Sequence, residues 1–457
     1  MKESNNESNN ESNNESKKDC ASGKSCSLAK FDCAKSDCAK SECAKSDCAK
    51  SECAKSDCAT KNMKSSESKK VSKSSQSYVS NNPLRNNINM AATDLLTFSY
   101  KHIIKPHMVF NVPPDEAHER MLVLCKAFSD NPLLMWLLRS TLDYTDPVLE
   151  TNVMGLDFDN PFGLSAGLDK NCDLTVVLDN AGFGFETVGS TTSRPCAGNS
   201  KPWYHRFPEY DSILVHAGLD NDGSEAVVAR AEKAWTRSRM NISVSIARTN
   251  DDLVGDLDEG IEDYRISLER AAGRTSMIEV NISCPNTCAG EPFTKPEALD
   301  KLFTVLDKVD RPQPTLVKMP LNVPGGWDQF KSLLDVLAEH KVDGVTIANL
   351  CKNRAGLNIP ADLPGGLSGG PTYKASNELI RRTRAAFGDR FVIAGAGGVF
   401  TPRQAYEKIR AGSDLVMFIS SLMYRGPQQI SVLKRGLARL LKADGFEHVS
   451  DAVGIDA

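Results

Sequence analysis

From Asn160 onward the chain repeats one unit, a short apolar β-like run followed in most cases by an amphipathic stretch. The runs cover residues 162–165, 186–189, 242–247, 277–282, 315–319, 344–348, 391–394 and 415–419. Runs that are apolar on both faces and alternate with helical patterns predict a parallel sheet covered by helices. Eight is the number that closes a (β/α)₈ TIM barrel, an α/β fold, and this is the expected architecture. A doubly wound open sheet is the alternative, but no G-x-G-x-x-G follows an early strand. In a barrel, chemistry collects at the C-terminal ends of the strands, so polar residues there become the candidates.

What precedes the barrel differs in character. Residues 1–88 are low complexity: ESNN repeats, then CAKSD/CAKSE repeats, then a Ser/Lys run. So little apolar surface cannot offset the entropy of ordering, which predicts a disordered tail. Eight of the 14 cysteines fall in it, and the others scatter through the body, which is not the pattern of a stapled secreted domain. A period of five also spreads thiols around a helix rather than pairing them for zinc, so no metal site is expected. Residues 1–30 lack an apolar signal-peptide core and carry acidic residues, which favours a reducing cytoplasmic compartment. The net charge of −4, with no basic stripe, gives no field for nucleic acid.

Residues 89–150 read as a helical segment. Two short helices are expected at 117–128 and 131–142, separated by Ser129-Asp130-Asn131-Pro132, where Asp or Asn suits a cap and Pro132 the first turn. The second is apolar on most sides. It either packs on the barrel or dips into a membrane surface, and neither helix approaches the ~20 apolar residues needed to span one.

The strand ends carry the chemistry. After the first comes SAGLDKN, in which Ala166 and Gly167 let a flat ligand approach the backbone and Lys170 can reach an anionic or carbonyl oxygen. After the fourth comes VNISCPNT, in which Asn281 and Asn286 suit a planar amide or imide. Cys284 lies between them on a loop stiffened by Pro285, and a thiol is far closer to neutrality than an alcohol as a base for a carbon-bound proton. Lys318 closes the fifth strand, where an anionic flavin ring would pair a charge otherwise costly to bury. Asn349 plays a similar part after the sixth. GGLSGGP at 365–371, AGAGGV at 394–399 and the pair Ser420-Ser421 sit where barrels bind phosphate.

With these motifs in order, residues 111–426 resemble dihydroorotate dehydrogenase, specifically its membrane-associated quinone-dependent class. PDEAHERML (114–122) is similar to that class's N-terminal helix motif, and NPFGLSAGLDKN, NISCPNT, LVKMP, GGLSGGP and AGAGGV match in sequence. The resemblance implies FMN, its phosphate near Gly369, Gly397, Gly398, Ser420 and Ser421 and its ring near Ala166, Gly167, Ser190 and Lys318. Lys170 and Asn281 would serve both cofactor and substrate, with Asn286 and Asn349 completing the substrate contacts. Cys284 would take the C5 proton of dihydroorotate. It also implies an FMN-binding barrel over 151–445 with a short C-terminal tail at 446–457. The helices of 89–150 would admit a quinone at the cytoplasmic face of a membrane, a soluble cytoplasmic location being the alternative.

Several positions depart from the family pattern. The quinone class has serine where this chain has Cys284. A substrate-binding asparagine is replaced by Val215, a flavin-contacting asparagine by Ser245, and two threonines by Ala348 and Leu350. An apolar Val215 cannot reproduce an amide's two hydrogen-bonding groups. Two other readings therefore stand beside the first: a related FMN barrel with an altered substrate or a soluble acceptor, and a non-catalytic flavin-binding or tethering protein. Retention of Cys284, Lys170 and Lys318 argues against the last.

Overall fold

A computed structural model describes residues 83–251, 256–288 and 290–457. The CAKSD/CAKSE repeats, and the disorder expected for them, lie outside the described residues.

All eight expected runs form strands: β1 (Phe162–Leu164), β2 (Phe185–Thr191), β3 (Asn241–Ile246), β4 (Met277–Asn281), β5 (Thr315–Lys318), β6 (Gly344–Ile347), β7 (Val392–Ala396) and β8 (Leu415–Phe418). Each pairs in parallel with its neighbours in chain order, and β8 closes on β1. The barrel is packed rather than hollow. Phe185, Met277, Leu316, Ala394, Leu415 and Met417 form one buried cluster, joined by Val153 and Phe158 of an antiparallel hairpin (Thr151–Val153, Leu156–Phe158) that precedes β1. Phe158 meets Phe185 edge to face, ring centroids 5.7 Å apart. Filling this end leaves the opposite, C-terminal end for a site.

That end has its own roof. Tyr204–Phe207 and Ser212–Val215, inserted after β2, pair antiparallel, and Gly366–Leu367, inserted after β6, joins them as a third strand. Sequence periodicity missed these strands because each is too short to show alternation.

Before the barrel stand three α-helices, α1 (Pro83–Ser99), α2 (Pro114–Ser129) and α3 (Pro132–Leu142), with a π-helix (Tyr100–Val109) joining the first two. The expected pair is present. Asn131 caps α3 by accepting from the backbone N–H groups of Leu133 and Leu134, with Pro132 at the first position. The boundary drawn at residue 88 is corrected, since α1 begins at Pro83. Its polar face hides long-range partners: Asn89 Nδ2 donates to Thr141 O at 2.8 Å, and Ser431 Oγ to Asn89 Oδ1 at 2.9 Å. The final residues are tied down as well, Val449 and Ala452 being buried and Asp456 paired with Arg410.

Candidate active site

A cavity of about 730 Å³ opens between the C-terminal ends of the strands, the three-stranded roof and the N-terminal helices. It gathers Ala166, Gly167 and Lys170 from the β1 end, Ser190 from β2, and Asn281, Cys284 and Asn286 from the β4 end. Lys318, Asn349, Gly369, Gly397, Gly398, Ser420 and Ser421, also expected from sequence, line it as well. Two candidates lie elsewhere. Ser245 is wholly buried behind Ser190, their hydroxyl oxygens 2.8 Å apart, because a serine is too short to pass it. Ala348 is buried after β6 and does not line the cavity, its single methyl presenting nothing to it.

The asparagines are held by their neighbours. Asn281 Nδ2 donates to Ser190 Oγ at 2.8 Å, while its Oδ1 accepts from the Ser283 N–H at 3.2 Å and from Asn349 Nδ2 at 3.4 Å. Asn349 Nδ2 also donates to Ser283 O at 2.6 Å, and its Oδ1 accepts from the Leu350 N–H. Asn286 Nδ2 donates to the backbone oxygen of Val215 at 3.0 Å. So Val215, an apolar residue of the cavity wall, positions Asn286 through its main chain.

On the cavity wall, Asn286, Ser421 and Lys318 present polar groups that no protein partner engages among the described residues. Asn286 Oδ1 and Ser421 Oγ are buried and unpaired. Lys318 is 5 % exposed, and no carboxylate or acceptor engages its Nζ. Buried polar groups left unpaired are costly, so this is the pattern of a site whose partners arrive with a ligand. An anion fits Lys318. Beside Ser421, Gly397 and Gly398 take φ of +99° and +72°, a conformation open to glycine that keeps side chains off the wall. Lys318, Ser421 and the Gly397-Gly398 turn fit an anionic ligand that carries a phosphate, as FMN does.

Cys284 is half-buried on the cavity wall. Burial pushes its thiol up to about 11, against the opposing pull of the Asn286 N–H and the Lys318 charge. It is a thiol at neutral pH and a base only once deprotonated.

Sequence reasoning missed a second group at the junction with α2. Lys170 Nζ pairs with Asp220 Oδ2 at 2.9 Å and lies 4.1 Å from the centre of the Trp203 ring. Burial lowers the affinity of Lys170 for its proton, and Asp220 offsets part of that. Burial, then the Lys170 charge, hold His118 down at about 4, so the imidazole is neutral. Tyr204 packs edge to face on His118. The signals were present in PDEAHER and AGLDN, but no spacing joins residues about 50 and 100 positions apart.

Comparison with known proteins places the chain in a family. The family model for dihydroorotate dehydrogenase matches residues 148–441. A dihydroorotate dehydrogenase (quinone) of Haloarcula marismortui is 34% identical over 356 residues, 78% of this chain and 98% of that one. A protein of the same name from Gloeobacter violaceus is 32% identical over 76% of this chain and 96% of its own. A crystal structure of DHODH from Eimeria tenella in complex with ferulenol is 26% identical with a TM-score of 0.67, covering 75% of this chain and 95% of that one. The match spans the barrel and every strand end from which the cavity is built, and the chain belongs to the dihydroorotate dehydrogenase family.

Proposed function

We propose that this protein oxidises dihydroorotate to orotate, in an FMN-dependent reaction that passes the electrons to a quinone and serves pyrimidine synthesis. The observation that carries the reading is the convergence, in one cavity, of Cys284 with three asparagines and with the unpaired Lys318, Asn286 Oδ1 and Ser421 Oγ. When bound, FMN supplies the acceptor for the hydride from C6 of the substrate.

The chain's own residues do the rest. Asn281, Asn286 and Asn349 present amide groups to a planar cyclic imide, and Lys170 offers a cation for its carboxylate. Cys284, as thiolate, takes the C5 proton. Lys318 stabilises negative charge on the cofactor side, a role its lack of a protein counter-ion supports. Ser420, Ser421, Gly369, Gly397 and Gly398 hold the phosphate, and Ala166, Gly167 and Ser190 border the ring.

The quinone enters from the N-terminal helices. On that side the cavity wall is apolar, with Ile104, Met108, Met121, Leu124 and Leu138. The outward surface is apolar too: Val123 and Leu133 are each 68% exposed and Trp136 62%. Among the described residues no single helix is long and apolar enough to cross a membrane, and α2 and α3 meet at 109°. Such helices suit a protein that lies on a cytoplasmic membrane face.

The test is anaerobic addition of dihydroorotate to the yellow protein. Flavin bleaching, then reoxidation by a soluble quinone faster than by fumarate or NAD, is the expected result. Flavin that stays oxidised defeats the substrate assignment, and preferential reoxidation by fumarate or NAD defeats the acceptor. Val215 and Leu350 support a second reading, a less polar substrate, which the same titration decides.

A further inference from the structure

Lys408 is a wholly buried lysine that the reaction does not use. It lies on the helix Pro402–Arg410, and its Nζ donates to Ser376 Oγ at 2.8 Å, Asn377 Oδ1 at 2.6 Å and Ala396 O at 3.5 Å. All three acceptors are neutral, and among the described residues no carboxylate lies within ion-pair distance. The charged and titratable groups around it are already engaged. Tyr373, whose ring lies 5.7 Å from Nζ, binds Glu407, which also pairs with Arg403, and Asp414 pairs with Arg384. A buried cation without a counter-charge is expensive.

The place where an anion would stand is next door. The Lys408 stem packs on Gly395, leaving 2.8 Å between its Cδ and where a Cβ would be. Ser376 Oγ, which accepts the Lys408 hydrogen bond, lies 3.6 Å from the corresponding point on Gly397, and Tyr373 backs Gly398. Lys408 therefore stands directly behind the turn at residues 395–398. In front of that turn the wall is Gly369, Thr372, Gly397, Gly398, Ser420 and Ser421, with no cation among them.

We infer that Lys408 is the counter-charge for the phosphate of the bound cofactor, acting from behind the glycine turn rather than by contact. The inference rests on the FMN reading above. Burial brings the lysine down to about 7, so near neutrality it is poised to gain a proton when a dianion arrives. Binding then takes up a proton, and FMN affinity falls as pH rises.

The test compares FMN with riboflavin, which lacks the phosphate, on the full-length protein stripped of flavin, using fluorescence quenching. Lys408→Met is expected to weaken FMN about tenfold or more while leaving riboflavin nearly unchanged, and to flatten the decline of FMN affinity between about pH 7 and about pH 9. Equal loss of both flavins, or no loss of FMN, overturns the inference. Should the substituted protein not fold, calorimetry of the native chain at about pH 8 in buffers of different ionisation enthalpy decides. Proton uptake with FMN but not riboflavin supports the assignment, and equal uptake removes it. A native chain that binds neither flavin sinks the FMN reading itself, an outcome distinct from FMN binding that ignores Lys408.

Discussion

Lys170 and Asp220 form an ion pair on the cavity wall, Nζ to Oδ2 2.9 Å, with the lysine side chain 10% exposed and the aspartate 32%. Burial depresses the lysine and Asp220 raises it. A cation that binds a carboxylate loses that role as pH rises through its titration. Orotate affinity, read from perturbation of the flavin spectrum, is therefore expected to weaken with rising pH. Asp220→Asn should move that loss to lower pH, because the opposing carboxylate is gone. Identical profiles for the two proteins would show that Lys170 does not meet the substrate.

Cys284, pushed up to about 11 by burial, must lose its proton before it can act. The rate of flavin reduction by dihydroorotate is expected to climb with pH through the alkaline range. Cys284→Ala should slow it about 10²–10⁴-fold with FMN retained, the usual weight of a positioned general base. Cys284→Ser should move the rise to still higher pH, since an alcohol is less acidic. A shift to lower pH would contradict the assignment.

Val215 lines the cavity, and its backbone oxygen accepts from Asn286 Nδ2. Val215→Asn leaves that backbone bond in place and adds an amide. An added hydrogen bond contributes about 1 kcal/mol, or roughly fivefold in affinity, so the KM for dihydroorotate should fall by that order with FMN content unchanged. A higher KM would mean that the pocket is built for a substrate with an apolar edge there.

The barrel was legible because its strands are buried on both faces, so each stands out as an unbroken apolar run, and Cys284, Lys170 and Lys318 because they interrupt or end such runs. Long-range pairing was not. Asp220 faces Lys170 and His118 faces Tyr204 only once the inserted strands fold over the barrel mouth. Nor does a sequence show depth: Ser245 and Ser190 look equivalent at their strand ends, yet one stands behind the other.

The end of α3 is fastened by a buried pair. Lys434 Nζ lies 3.1 Å from Asp143 Oδ1 and 2.7 Å from Gly182 O, with both side chains under 5% exposed. Removing Asp143 strands the Lys434 charge and also releases Arg239, whose Nη1 lies 3.3 Å from Asp143 Oδ2, so Asp143→Ala should cost about 3 kcal/mol. The exposed Lys331–Asp335 pair, 2.7 Å apart on one helix, should yield under about 1 kcal/mol when Lys331 becomes Ala. Urea unfolding of the two variants checks the contrast, and comparable losses would show that burial is not what gives the Lys434 pair its weight.

On α3, Leu133, Trp136 and Leu137 are 68%, 62% and 50% exposed, a concentration of apolar surface that water disfavours and that no described residue covers. None of the three lines the cavity, so they can be changed without touching the chemistry. Burying one large apolar side chain contributes about 1.5–3 kcal/mol, and placing a carboxylate there adds a desolvation penalty. Leu133→Glu combined with Trp136→Glu is therefore expected to reduce co-sedimentation with phosphatidylcholine vesicles by about tenfold or more. Dihydroorotate should still bleach the flavin at the native rate, while reoxidation by a quinone dissolved in the vesicles slows. Unchanged sedimentation would show that this face of α3 makes no membrane contact. Reduced sedimentation with full activity toward vesicle quinone would separate lipid binding from quinone entry.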